Sequence, residues 1–295
     1  MIENHSFFQC LKCNHVEVTI TEASWICAGC GFAYPVVEGI PILTRDWQDM
    51  QKQIDDARQK NPLWYQKEQT LEKSSPYRHF HKKRRLYTEQ VLSEYLKTKK
   101  KDKAQNLLDL GCGDGNHLSY LSHYATEIYG SDYNLLRLAR ARVSFPQACL
   151  YLANVLDYPS RENFFEIVVF NHVLEHIRED EAALVQIYRM IQPGGFFLLG
   201  IPNEGAAWWQ LAYRLQPHML RDTDHVQFYT AGGIRAKMDK AGFQVQKITP
   251  MGWGLPHWTL DEKVRQFRWV DDALEVIVKN LAPSQSSSLF ILATK

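Results

Sequence analysis

From residue 106 onward the chain alternates short, nearly unbroken apolar runs with stretches whose apolar positions recur at helical spacing. NLLDL (106–110), EIYG (127–130), CLYL (149–152), FFEIVVF (164–170) and FFLLGIP (196–202) have strand length, and such unbroken runs mark strands covered on both faces. Between them, NHLSYLSHYA (116–125), LLRLARARV (135–143) and EDEAALVQIYRM (179–190) predict helices, the last closed by Pro193-Gly194-Gly195. Alternation of this kind builds a parallel sheet flanked by helices. The rhythm breaks over 201–240, where EGAAWWQLAYRLQPHMLRDTDHVQFYT gathers aromatic side chains that either cover a pocket or pack on the sheet. It resumes with an amphipathic helix stopped at Gly242, a sixth strand, an inserted helix near 261–281 and SSLFILATK as an antiparallel seventh strand. The expected fold is α/β: a doubly wound, seven-stranded, Rossmann-like sheet over residues 106–295.

Residues 1–45 follow a different rule. VEVTITEASWI alternates in the two-residue rhythm of a hairpin and lies between Cys10-x-x-Cys13 and Cys27-x-x-Cys30. Two such knuckles converge four thiolates on one tetrahedral ion, at about 2.3 Å each for zinc. A segment this short cannot stabilise itself by apolar burial, so a structural zinc supplies the folding energy, and full thiolate ligation leaves no position open for catalysis. His5 and His15 are surface residues in this reading. Cys112 and Cys149 fall in the predicted core. Knuckles rather than disulfides point to a reducing, cytoplasmic setting. No apolar run approaches the ~20 residues of a membrane span, and MIENHSFFQC lacks the marks of a secretory signal.

Residues 46–105 form a polar connector of helical composition, with helices expected over WQDMQKQIDDARQKNPLWY and RHFHKKRRLYTEQVLSEYLKTKKKDK, broken near Pro62 and Pro76. Leu86, Val91, Leu92, Tyr95 and Leu96 set one apolar stripe on the second. The net charge of +1 hides fifteen basic against nine acidic side chains here, so any affinity for an anionic substrate or RNA would belong to this segment. HFHKKRR with Tyr77, Phe80 and Tyr87 is either such a patch or a solvated face packed on the catalytic domain.

The richest chemistry lies in LLDLGCGDG (107–115). A buried strand ending in Gly111, Gly113 and Gly115 gives a turn where backbone approaches a ligand closely. Asp132 ends the next strand, 21 residues beyond Gly111, where a carboxylate accepts the ribose hydroxyls of an adenosine. NAD fits poorly: the sixth position of its fingerprint is Asn116, and Asp114 in the turn would repel a diphosphate. A cofactor without phosphate, such as S-adenosylmethionine, fits better.

LLDLGCGDG, followed in order by LEHI, IQPGG and IPN, resembles the class I S-adenosylmethionine-dependent methyltransferases over residues 106 to about 249 and the last strand. The resemblance implies a cofactor site of Asp109, Gly111, Cys112, Gly113, Gly115, Asp132, Tyr133 and Asn171, with Asn154 and Val155 flanking the adenine. Asn154 stands where many of these enzymes have an aspartate, and Asp157 is the nearby alternative. His172-x-x-Glu175-His176 is similar to the Glu-x-x-Glu-His of a ubiquinone-pathway O-methyltransferase group, and either lines the pocket or holds a metal. Residues 10–43, ending in YPVVEGIPIL, are similar to the small zinc-binding activators of tRNA and protein methyltransferases. The expected reaction is methyl transfer to a small-molecule or glycan acceptor, most simply a hydroxyl, with His225 or His172 as base. An RNA acceptor, or a protein partner held by the ribbon, are the alternatives.

Overall fold

The computed structural model describes residues 5–47, 52, 59 and 74–295. The alternating segment after Cys13 folds as expected into a hairpin, β1 (Val18–Ile20) and β2 (Ser24–Cys27), paired antiparallel. FAYPVVEGIP adds β3 (Ala33–Val37) and β4 (Ile40–Pro41), making a four-stranded ribbon in the order β1-β2-β3-β4. The larger sheet comprises β5 (Ala104–Leu110), β6 (Ala125–Asp132), β7 (Cys149–Leu152), β8 (Phe165–Asn171), β9 (Ile191–Pro202), β10 (Gln244–Met251) and β11 (Ser288–Thr294). Its order is β10-β11-β9-β8-β5-β6-β7. β6 runs parallel to both β5 and β7, whereas β11 is antiparallel to both β9 and β10. This is the seven-stranded mixed sheet expected from the apolar runs.

The chain divides into two compact units. The first holds Met1–Gln69, Lys100–Val169 and Arg189–Gly195. Its core joins the ribbon to the edge of the sheet: Phe7 stacks on Tyr151 at 4.5 Å and meets Tyr129 edge-on. Ile42 bridges Leu152 in parallel, and Leu43 donates its N–H to the Leu152 carbonyl at 2.8 Å. The ribbon's last residues therefore continue the sheet beyond β7. The helix expected over 116–125 shrinks to one turn, α2 (Leu118–Leu121), because β6 must begin at Ala125 to pair with Ala104 and the glycine turn uses the residues up to 117. α3 (Leu135–Ser144) is capped by Asn134, whose side chain accepts from Arg137 N.

The second unit holds Thr70–Lys99, Phe170–Tyr188 and Phe196–Lys295. Its first helix, α1 (Arg78–Lys99), buries Phe80, Thr88, Val91, Leu92, Tyr95 and Leu96. Leu86, expected in that stripe, is instead 49% exposed. The first connector helix, over 47–65, falls almost wholly outside the described residues. α4 (Asp180–Met190) leads directly into β9, so Pro193-Gly194-Gly195 lies inside the strand rather than in a helix stop. α5 (Ala207–Leu215), the short α6 (Met219–Asp222) and α7 (Ala231–Lys240) follow. The single helix expected near 261–281 is two, α8 (Trp258–Arg265) and α9 (Arg268–Leu281), separated at Gln266 and Phe267.

Candidate active site

The glycine turn that is the candidate cofactor cradle lies in the first unit. β5 delivers the chain into three glycines of positive φ: Gly111 at 75°, Gly113 at 55° and Gly115 at 78°. Gly115 has a second constraint, since a Cβ there would lie 3.0 Å from the Cβ of Ala141 on α3. Gly111 and Cys112 donate their N–H groups to the Ser131 carbonyl at 2.7 and 3.1 Å, lashing the turn to β6. Asp132, at the end of β6, holds both sides of the crevice: Oδ2 accepts from Gly113 N at 2.8 Å and Oδ1 from Asn134 N at 2.9 Å. Each oxygen keeps a further lone pair for a ligand.

Asp109 is buried, and its Oδ2 has no hydrogen-bond partner among the described residues. Burial, with the nearby Asp132 charge, pushes its carboxyl up to about 8. An orphaned buried acceptor of this kind fits a cationic donor, which the α-ammonium of S-adenosylmethionine supplies. The expected repulsion by Asp114 does not hold, because Arg140 of α3 pairs with it at 2.8 Å. Cys112 is buried, and its thiol is held well above the ordinary value, chiefly by burial. Tyr133 is exposed beside the cradle. Asn154 Oδ1 accepts from Leu156 N at 3.0 Å, spending its carbonyl on a local turn next to the half-buried Val155. Asp157, the alternative acid, pairs with Arg45 at 2.8 Å.

The ribbon brings Cys10, Cys13, Cys27 and Cys30 together. Sγ atoms lie 3.8 Å apart between Cys10 and Cys30 and 3.5 Å apart between Cys13 and Cys27. A tetrahedron of ~2.3 Å zinc–sulfur bonds has edges of about 3.8 Å, so the donor set fits that ion. Neither His5 nor His15 joins the cluster.

The second unit holds a histidine–carboxylate cluster after β8. Asn171 Oδ1 is buried with no hydrogen-bond partner among the described residues, in space that Gly200 leaves open: a Cβ there would approach it to 2.2 Å. His172 adopts φ 53°, its Nδ1 lies 3.3 Å from Glu175 Oε1, and its packed surroundings keep it neutral by pushing its pKa well below the ordinary value. Glu175 is 1% exposed, and neither oxygen has a hydrogen-bond partner among the described residues. Its carbonyl accepts from Val226 N and Gln227 N, which stitches the 225 segment alongside. His225 Nδ1 donates to Glu204 Oε1 at 2.7 Å, and Tyr213 OH donates to the same oxygen. Burial opposes charging of His225, but the Glu204 hydrogen bond and charge, with Glu175 and Asp224, outweigh it and raise its pKa. With Nδ1–H held by Glu204, neutral His225 carries its free lone pair on Nε2. His176 meets His225 edge-on at 4.9 Å, and Glu175, His176 and His225 offer ligand atoms within 4.8 Å of one another.

Glu204, fully buried, has no periodic or motif signal in the sequence; only its partners at 213 and 225 reveal it. α5 buries Trp209 and Tyr213 with Ala206, Ala212 and Met219, while Tyr213 reaches the Glu204–His225 pair. Part of the basic–aromatic patch turns inward, with Lys82 left exposed. Lys83 is bound by three carboxylates, Arg84 lies over Phe80 and Phe290, and Tyr77 faces the guanidinium of Arg265.

A sequence profile described as a methyltransferase domain matches residues 77–248, more than half of the chain. The chain belongs to that family. This methyltransferase is 26% identical over 146 residues to a Mycolicibacterium smegmatis protein assigned as an S-adenosylmethionine-dependent methyltransferase, covering 48% of this chain and 53% of the relative. It is 26% identical over 102 residues to a trans-aconitate 2-methyltransferase of Variovorax paradoxus, covering 34% and 39%. These matches thus span about half of those relatives or less. A Bacillus halodurans structure assigned as a methyltransferase shares the fold, with TM-score 0.52 and 15% identity over 69% of this chain and 98% of that one. No described helix is long and apolar enough to cross a membrane.

Proposed function

We propose that the enzyme transfers the methyl group of S-adenosylmethionine to a hydroxyl of a small-molecule or glycan acceptor, with His225 as base and Glu204 as its positioning residue. The observation that carries this reading is the buried Glu204–His225 hydrogen bond, topped by Tyr213 beside the aromatic cluster of α5. A hydroxyl must lose its proton as the methyl arrives, and a histidine with one nitrogen fixed by a carboxylate presents the other as the acceptor. When bound, the cofactor supplies an electrophilic methyl on sulfonium; the chain orients the partners and excludes water. In this reading Asp132 takes the ribose hydroxyls, Asp109 the α-ammonium, and Gly111, Gly113 and Gly115 the methionine and ribose. Asn154 and Val155 flank adenine, and Cys112, Tyr133 and Asn171 line the site. His172 shapes the loop. A structural zinc on Cys10, Cys13, Cys27 and Cys30 holds the ribbon (1–45), which a connector (46–105) joins to the catalytic domain (106–295).

The small acid named for the trans-aconitate relative, and the inward turn of part of the basic patch, both favour a small acceptor over RNA. The test is isotope transfer from methyl-labelled S-adenosylmethionine into cell extract split into small-molecule, glycan and RNA fractions. Label in the small-molecule or glycan fraction, bound through oxygen, is expected; label confined to RNA or protein overturns the proposal.

A further inference from the structure

α9 carries an apolar face turned away from the protein. Its acids face the protein: Asp271, Asp272 and Glu275 hold Lys83 Nζ at 2.6, 2.9 and 2.6 Å, and Asp271 also accepts from the indole of Trp253 at 3.1 Å. Val270, Leu274 and Val278 are half-buried, but four large apolar side chains face outward, Trp269 at 75% and Leu281 at 81% exposure with Val276 and Ile277 between them. At 3.6 residues per turn these four share one face with Ala273 and Asn280. Exposed Phe267 at the α8–α9 junction and Leu260 of α8 widen the patch. A helix of a self-sufficient domain does the reverse, and an apolar face presented this way marks a surface that meets something else.

Charge indicates what it meets. Lys263, Arg268 and Lys279 are the most exposed charged residues of α8 and α9; the half-exposed Asp272 is held between Lys83 and Arg268, the latter at 3.5 Å. The five acids of the two helices are buried or half-buried, and each is engaged. Three hold Lys83, Asp261 pairs with Arg265 at 2.7 Å, and Glu262 accepts from the Trp258 indole at 3.0 Å. Arg78 and His79 add further basic side chains at the junction, where both reach the Gln266 carbonyl. Aromatic and aliphatic side chains on one face, with cations around them and every acid tied to a basic or indole partner, are the composition of a helix that lies in the interface of an anionic bilayer. A second copy fits poorly, because two-fold pairing of this face would set its cations against themselves.

We propose that the α8–α9 face docks the enzyme on an anionic phospholipid surface, the stripe of Trp269, Val276, Ile277 and Leu281 entering the headgroup boundary. The proposal is independent of the acceptor reading above.

The test uses the full chain and co-sedimentation with two kinds of vesicle: phosphatidylcholine alone, and phosphatidylcholine with about one-third phosphatidylglycerol. Binding to the anionic vesicles is expected to be at least about tenfold tighter and to weaken with salt. Ile277→Asp with Leu281→Asp should abolish it, and Lys263→Glu with Lys279→Glu should weaken it. All four positions are exposed, so unchanged melting and unchanged S-adenosylhomocysteine affinity report intact folding. Absence of binding to the anionic vesicles, or equal binding by the Asp double variant, overturns the proposal. So does sedimentation velocity showing a dimer that the double variant dissolves, which would make the face a contact between copies.

Discussion

Asp132→Asn separates the roles of the cofactor cradle. The carboxylate accepts from Gly113 N at 2.8 Å and from Asn134 N at 2.9 Å, and hydrogen bonds to a charged group contribute about 1.5–3 kcal/mol each. The amide keeps one acceptor and turns a donor toward the other N–H, so one bond is lost and the other weakened. The expected cost to folding is about 2–3 kcal/mol. If the same oxygens receive the ribose, affinity for S-adenosylhomocysteine falls by about tenfold to a hundredfold as well. A further effect reaches Asp109, whose carboxyl is raised to about 8 first by burial and then by the Asp132 charge. In the parent at pH 7 Asp109 is largely protonated, and a cationic ligand beside it favours the charged form, so binding releases a proton. In Asp132→Asn the resting carboxyl is more acidic and less proton is released. Calorimetry with S-adenosylhomocysteine in buffers of different ionisation enthalpy measures affinity and proton release together. Parent-like values of both in the variant would refute this account of the cradle.

Asp109 also predicts a pH dependence of stability. Its folded pKa lies above the ~3.9 of an unfolded aspartate, so the cofactor-free protein loses stability as pH climbs from about 4 to 8. Asp109→Asn should remove that slope, as read from denaturant melts at pH 5 and 8. His225→Ala should lower single-turnover methyl transfer by about 10²–10⁴ with donor binding intact, while His172→Ala stays within a few-fold. Because Glu204 raises the His225 pKa and only the neutral ring accepts a proton, Glu204→Gln should move the rising limb of the pH–rate profile to lower pH; an unmoved limb rejects the pairing. Metal analysis should find about one zinc per chain, lost in Cys27→Ser. A second equivalent that Glu175→Gln removes would assign His225 to a metal and end its candidacy as base.

The sheet was legible because strands buried on both faces leave unbroken apolar runs, and the turn because three glycines of positive φ are needed where β5 meets the cradle. Asp132 was legible for the same reason: the parallel register pairing it with Leu152 of β7 ends β6 there. Glu204 was not, since a buried carboxylate explained by Tyr213 and His225 has no local pattern. The orientation of α9 was hidden more deeply. Its stripe reads as a core face by periodicity alone, and only Lys83, some 190 residues earlier, decides that the acids turn inward. Helix lengths failed where pairing overrode propensity, as in α2, whose length is set by the start of β6. The repulsion argued for Asp114 failed because Arg140 lies 26 residues away in sequence.

The ribbon's position at the β7 edge gives metal supply a consequence apart from catalysis. Ile42 and Leu43 cover the hydrogen-bonding edge of β7, and Phe7 covers Tyr151 of that strand. An uncovered strand edge beside apolar surface is a template for pairing with other chains. If the four cysteines hold zinc as proposed, a ribbon left without that ion in a zinc-starved cell would come away from that edge. The enzyme would then be depleted by aggregation and proteolysis, its abundance falling with zinc availability while the donor site itself stayed chemically intact.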